Sequence, residues 1–194
     1  MTALALGCSH TAGVGVDPSE CYVSLLSKHY QTPIVNTAAP GGSADQCMQH
    51  LTQALRSGRP EFVIAQWPNP IRRTMWTGNK RKFETVQSAG PAFRSLLQAG
   101  VANFYEPWLQ YITAADTMCA LAGVPVVHIL LEDLATEYTD RLLAQGILLH
   151  QDLKIPGQSW IFDSAGADGL HHSAACHAQW ANRLIGLIDE FTKR

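Results

Sequence analysis

Residues 61–67, EFVIAQW, are largely apolar from Phe62 to Trp67 and lack the alternation of a half-exposed strand. A run of this kind is buried on both faces, as the inner strands of a parallel sheet are. Residues 124–131, VPVVHILL, read the same way. Outward from these two, residues 3–7 form a strand candidate ending in a Gly-rich turn, and residues 33–36 form a short one. Helical segments are expected between the strands. One starts near Pro18, a residue suited to a first helical position, and another is capped by Ser43 and runs to about Ser57. Two more cover residues 91–122, with a break at Gly100 or Pro107, and residues 135–145. SWIF, at 159–162, reads as a last short strand. Residues 173–192 have helical spacing, with Ala178, Ala181, Leu184, Ile185 and Ile188 on one face. Strands alternating with helices predict an α/β fold, a parallel sheet with helices on both faces.

Composition narrows the class. The chain has 194 residues, 46% hydrophobic and 15% charged, which fits one packed domain over 1–194 and excludes disorder. A net charge of −2 gives no general attraction to nucleic acid or to an anionic membrane, and neither is expected as a partner. No apolar run approaches the roughly 20 residues that span a bilayer. Residues 3–8, ALALGC, resemble a lipoprotein cleavage box, but no basic region precedes them. A cytoplasmic location is therefore expected, with a virion-associated one left open. Cys8, Cys21, Cys47, Cys119 and Cys176 are odd in number and irregular in spacing, which suits a reducing compartment.

In an open parallel sheet the functional crevice lies beyond the carboxyl ends of the strands. Ser9, Gly41 and Asn69 follow the first three strand candidates, and residues 168–172 precede the last helix. A serine hydroxyl becomes a nucleophile when a base takes its proton and a third group orients that base. In DGLHHS (168–173), Asp168 and His171 are spaced so that one turn of chain places carboxylate beside imidazole. The Ser9 and Gly41 backbone N–H groups and the Asn69 amide are candidate donors to an oxyanion. Rival readings stay open beside these: Cys8 as nucleophile, Gly42 for Gly41, His172 for His171, and a metal held by His172, Cys176 and His177. Cys8 is expected to point into the core, and His10 to lie on the rim.

The blocks GCSHTAG, NTAAPGGS, WPN and DGLH fall in the order and rough spacing of the SGNH (GDSL-like) hydrolases, and the chain resembles that family from Gly7 to the final helix. The resemblance implies a flavodoxin-like three-layer α/β/α fold with a sheet of about five strands. It implies Ser9 as nucleophile, His171 as general base oriented by Asp168, and an oxyanion hole of Ser9, Gly41 and Asn69. Two departures stand out: Cys8 occupies a position where the family usually has Asp, and Trp67 and Pro70 flank a third block that usually reads Gly-x-Asn-Asp. The expected activity is hydrolysis of a small acyl ester, such as an O-acetyl carbohydrate, without a cofactor or metal. An acyltransferase, or a catalytically silent carbohydrate-binding or structural module, is the alternative. Trp67, Arg72 and Arg73 are candidate substrate contacts. The two arginines open a basic stretch, completed by Lys80, Arg81 and Lys82, that reads as a solvated loop leaving the catalytic edge.

Overall fold

The computed structural model describes residues 2–70, 72–77, 80–84, 102–130, 136–150, 167–169 and 171–192. Five parallel strands form its sheet: β1 (Ala3–Leu6), β2 (Ile34–Asn36), β3 (Val63–Trp67), β6 (Val126–Leu130) and β7 (Leu149–His150). Their order is β2-β1-β3-β6-β7. Leu4 pairs with Val63 and Val35, and Val63 with Val126, so the two apolar runs lie side by side inside the sheet.

Helices cover both faces. They are α1 (Ser9–Ala12), α2 (Tyr22–Tyr30), α3 (Ala44–Ser57), α4 (Ala102–Ala122), α5 (Thr136–Leu143) and α6 (Ala174–Thr192). Successive strand residues point to opposite faces, and two cores result. Leu4, Leu6, Val63, Ala65, Trp67 and Leu130 pack against α3 and α4 through Leu51, Trp108 and Ile112. Ala3, Ala5, Ile64, Val127 and Ile129 pack against α2 and α6 through Tyr22, Leu26, Trp180 and Leu184. Among the described residues no helix is long and apolar enough to cross a membrane.

Four details differ from the sequence reading. The helix expected from Pro18 begins at Tyr22 instead. Asp17 Oδ1 accepts from both the N–H (2.8 Å) and the hydroxyl (2.6 Å) of Ser19, and this local turn takes the residues that would have begun the helix. The basic stretch is not a plain loop: β4 (Arg73–Thr77) and β5 (Lys80–Glu84) form an antiparallel hairpin. α4 runs through Pro107 without ending, its next residues Trp108 and Leu109 buried in the core. β7 was not anticipated, and the strand expected at 159–162 lies outside the described residues.

Candidate active site

β1 ends at Leu6, and the chain turns within three residues into α1. Gly7 makes that turn possible. A Cβ there would lie 2.7 Å from Thr11 Cβ and 2.9 Å from Gln66 Oε1. Cys8 is fully buried, as expected of a residue pointing into the core, and its Sγ lies 3.8 Å from Gln66 Oε1. Ser9 is the first residue of α1, 5% exposed, and its N–H has no intrahelical acceptor. Among the described residues its hydroxyl bonds to no side chain, His171 included.

Beneath this turn lies a polar network that the sequence reading missed. Thr11 Oγ1 donates to Gln66 Oε1 at 2.5 Å and accepts from Tyr22 OH at 2.9 Å. Asn36 Nδ2 donates to the Thr11 carbonyl at 2.7 Å, tying the end of β2 to α1. Gln66 is the one polar residue between Phe62 and Trp67, and that interruption was the available signal. Buried polar groups of this kind hold a unique geometry when they are satisfied together.

The turn after β2 reaches the same place. A Cβ on Gly42 would lie 2.8 Å from the Gly7 carbonyl, so the backbones of the first and second blocks touch there. Gly42 N–H donates to Ala39 O at 2.9 Å, whereas Gly41, in a left-handed conformation at φ 71°, has no acceptor for its N–H among the described residues. The third block is held by two indoles. Trp108 Nε1 donates to Pro68 O at 2.8 Å, and Trp67 Nε1 donates to His128 Nδ1 at 3.0 Å. With Nδ1 accepting, His128 carries its hydrogen on Nε2 and donates to Asp116 Oδ1 at 3.2 Å. Trp67, expected as a substrate contact, is 1% exposed: its ring packs in the core and its N–H is donated to His128. Asn69 is half-buried, and its carbonyl accepts from Arg72 N–H at 3.0 Å. Arg73 opens β4, and its side chain lies outside the described residues.

The fourth block completes the convergence. Asp168 accepts from His171 twice, Oδ1 from the backbone N–H at 3.0 Å and Oδ2 with ring Nδ1 at 2.5 Å. The pair is pressed against the loop that leaves α1. A Cβ on Gly15 would lie 3.0 Å from Asp168 Oδ1 and 3.2 Å from His171 Cβ, and Ala167 N–H donates to Gly15 O at 2.9 Å. His10 is half-buried. Its ring centroid lies 5.2 Å from that of His171 and 4.5 Å from that of His172. Burial first, then the charges of His172, His171 and Arg72, push His10 down to about 3, so it is a neutral ring at ordinary pH. His172 and His177 are lowered mainly by burial too. His177 Nδ1 accepts from Tyr22 N–H at 3.2 Å and so faces α2. Among the described residues no three His, Cys, Asp or Glu side chains are grouped to hold a metal ion.

A cavity of about 540 Å³ opens elsewhere, beside the start of β1 and the end of α3, lined by Leu4, Val35, Ala54 and Pro60 among others. It contains none of Ser9, Gly41, Asn69, Asp168 or His171, and the polar convergence rather than this cavity marks the site.

No family model and no curated protein matches the chain by sequence. Solved structures do match its fold. The psychrotrophic esterase EstA from Pseudoalteromonas sp. aligns over 100% of this chain and 99% of its own, with a TM-score of 0.62 and 15% identity. A member of the lipolytic protein G-D-S-L family from Veillonella parvula aligns over 96% and 97%, with a TM-score of 0.59 and 12% identity. A carbohydrate esterase family 2 enzyme from Corynascus thermopiles aligns over 100% of this chain and 67% of its own, with a TM-score of 0.62 and 14% identity. With four blocks in the family's order and 96–100% of its length aligned with these structures, the chain has the fold of the SGNH (GDSL-like) hydrolases.

Proposed function

We propose that the protein is a serine ester hydrolase working through an acyl-enzyme on Ser9. The observation that carries the reading is the Asp168–His171 pair, bonded at 2.5 Å and packed through Gly15 against the loop that leaves the Ser9 turn. Nδ1 of His171 is engaged by Asp168, which leaves Nε2 to take the Ser9 proton as Oγ attacks the ester carbonyl. The negative charge that develops on the carbonyl oxygen is received by the N–H groups of Ser9 and Gly41 and by the Asn69 side chain. The N–H of Gly41, without an acceptor among the described residues, against the committed N–H of Gly42, supports Gly41 as the donor from its turn. His171 then protonates the leaving alcohol, and water, activated by the same imidazole, releases the acid and restores Ser9. Small acyl esters, O-acetyl carbohydrates above all, are the substrate class we favour; the carbohydrate esterase among the similar structures supports it.

The test is hydrolysis of short-chain 4-nitrophenyl esters. Ser9→Ala and His171→Ala are expected to lose about a thousandfold or more in kcat, and Asp168→Asn somewhat less. Removing the Asn69 donor with Asn69→Ala is expected to cost about a hundred- to thousandfold. A phosphonate ester is expected to label Ser9. Full activity in Ser9→Ala overturns the mechanism.

A further inference from the structure

Arg72 follows the third block closely, and its own N–H, bonded to Asn69 O at 3.0 Å, folds it back toward that block. Its Nη1 is buried and has no acceptor among the described residues. No carboxylate among them pairs with it. His10, the residue after the candidate nucleophile, shows the same condition: its Nδ1 is buried without a partner among the described residues. The Arg72 charge is also among the causes that keep His10 neutral, after burial and the neighbouring histidines. Buried donors are nearly always matched by acceptors in folded proteins. A guanidinium N–H on a residue folded back on the Asn69 block and an imidazole nitrogen on the residue after Ser9, neither satisfied among the described residues, suit an acceptor that arrives with the substrate. Arginine binds planar oxyanions through its fork of N–H groups, and a neutral imidazole with its hydrogen on Nδ1 adds one more donor.

We propose that Arg72, together with His10, forms an anion-binding subsite of the candidate active site that takes a carboxylate carried by the ester. This rests on the esterase reading for its location. The carboxylate belongs either to the acyl half, as in a half-ester of a dicarboxylic acid, or to the alcohol half, as in an acetylated sugar acid.

The experiment compares two substrate pairs matched except for charge. 4-Nitrophenyl hydrogen adipate against its methyl ester tests the acyl half, and 4-acetoxybenzoate against its methyl ester tests the alcohol half. For one pair the wild-type protein is expected to prefer the charged member at least tenfold in kcat/KM. Arg72→Gln is expected to lower that preference at least tenfold, chiefly through KM, and Arg72→Lys to restore part of it. Which pair shows the preference tells where the carboxylate lies. A wild type that prefers the neutral member of both pairs, or shows no preference in either, overturns the proposal, as does a preference that survives in Arg72→Gln. Binding of the four compounds to Ser9→Ala, read by calorimetry, separates the two readings. If hydrolysis is independent of Ser9, a tenfold preference in kcat/KM for a charged member that disappears in Ser9→Ala/Arg72→Gln keeps the subsite while the mechanism falls. If Arg72→Gln does not fold, the wild-type preference and Arg72→Lys decide.

Discussion

Gly7 and Gly186 show how differently one residue type can be placed. At Gly7 an added methyl meets Thr11 and the Gln66 amide, both fixed in a buried network, so neither can yield without breaking the Thr11–Gln66 bond. At Gly186, on α6, nothing lies within 4 Å. Gly7→Ala is therefore expected to destabilise by about 1–3 kcal/mol, as overpacking does, and to displace Ser9. Gly186→Ala is expected to stabilise by about 0.5–1 kcal/mol, since alanine is the better helix former. Urea unfolding of the two variants beside the wild type checks both, and equal effects would contradict the packing described for the Ser9 turn. At this scale the sequence was readable where spacing carries meaning. Asp168 and His171 meet because three residues make a turn of chain, and Cys8 is buried because it continues a buried strand. It was unreadable where a contact joins distant positions. Nothing in HTA of the first block indicated that Thr11 would bond a glutamine 55 residues away, or that the His10 ring would lie against that of His172.

Among elements, α4 deserves its own experiment, because it holds the third block from outside. Its Trp108 reaches the carbonyl just before Asn69, a bond of 2.8 Å made inside the core. Trp108→Phe keeps an aromatic ring but leaves the Pro68 carbonyl without its donor, at a cost of about 1–3 kcal/mol. On the proposed mechanism it is also expected to lower kcat several-fold with little change in KM, because Asn69 acts on the transition state rather than on the bound ester. A variant with normal kcat would mean that Trp108 only packs. The sheet itself was legible, since unbroken apolar runs leave little choice but a doubly covered parallel strand. The hairpin β4–β5 was not, because its second strand opens Lys80-Arg81-Lys82 and charge hid the pairing. The start of α2 was misread because a capping competition between Pro18 and Asp17 is decided by side-chain geometry. β7 has two residues, too few to carry any pattern.

Over the whole molecule, acid is the stress the structure is least fitted to meet. His10 and His177 titrate near 6.5 when unfolded but only at about 3 and about 4 in the folded protein, burial being the first cause for each, and His172 is lowered as well. Between these limits the unfolded chain binds more protons than the folded one, so stability rises with pH across the window and is lost as pH falls from about 6.5 toward 4. The urea midpoint is expected to be higher at pH 7 than at pH 4.5. His177→Gln, which retains an acceptor for Tyr22 N–H, is expected to narrow that difference; an unchanged pH dependence would remove His177 from the account.

The contact between the loop at Gly15 and the turn at Ala167 also sets an order of events during synthesis. Ser9 leaves the ribosome before Asp168 and His171, which follow more than 150 residues later. Until they emerge, the Ser9 turn lacks both its orienting pair and the α6 helix that covers Tyr22. On the proposed mechanism the nascent chain therefore carries an inert serine until those residues are made, and competence arrives in one step, when the later-made segment docks on the earlier one.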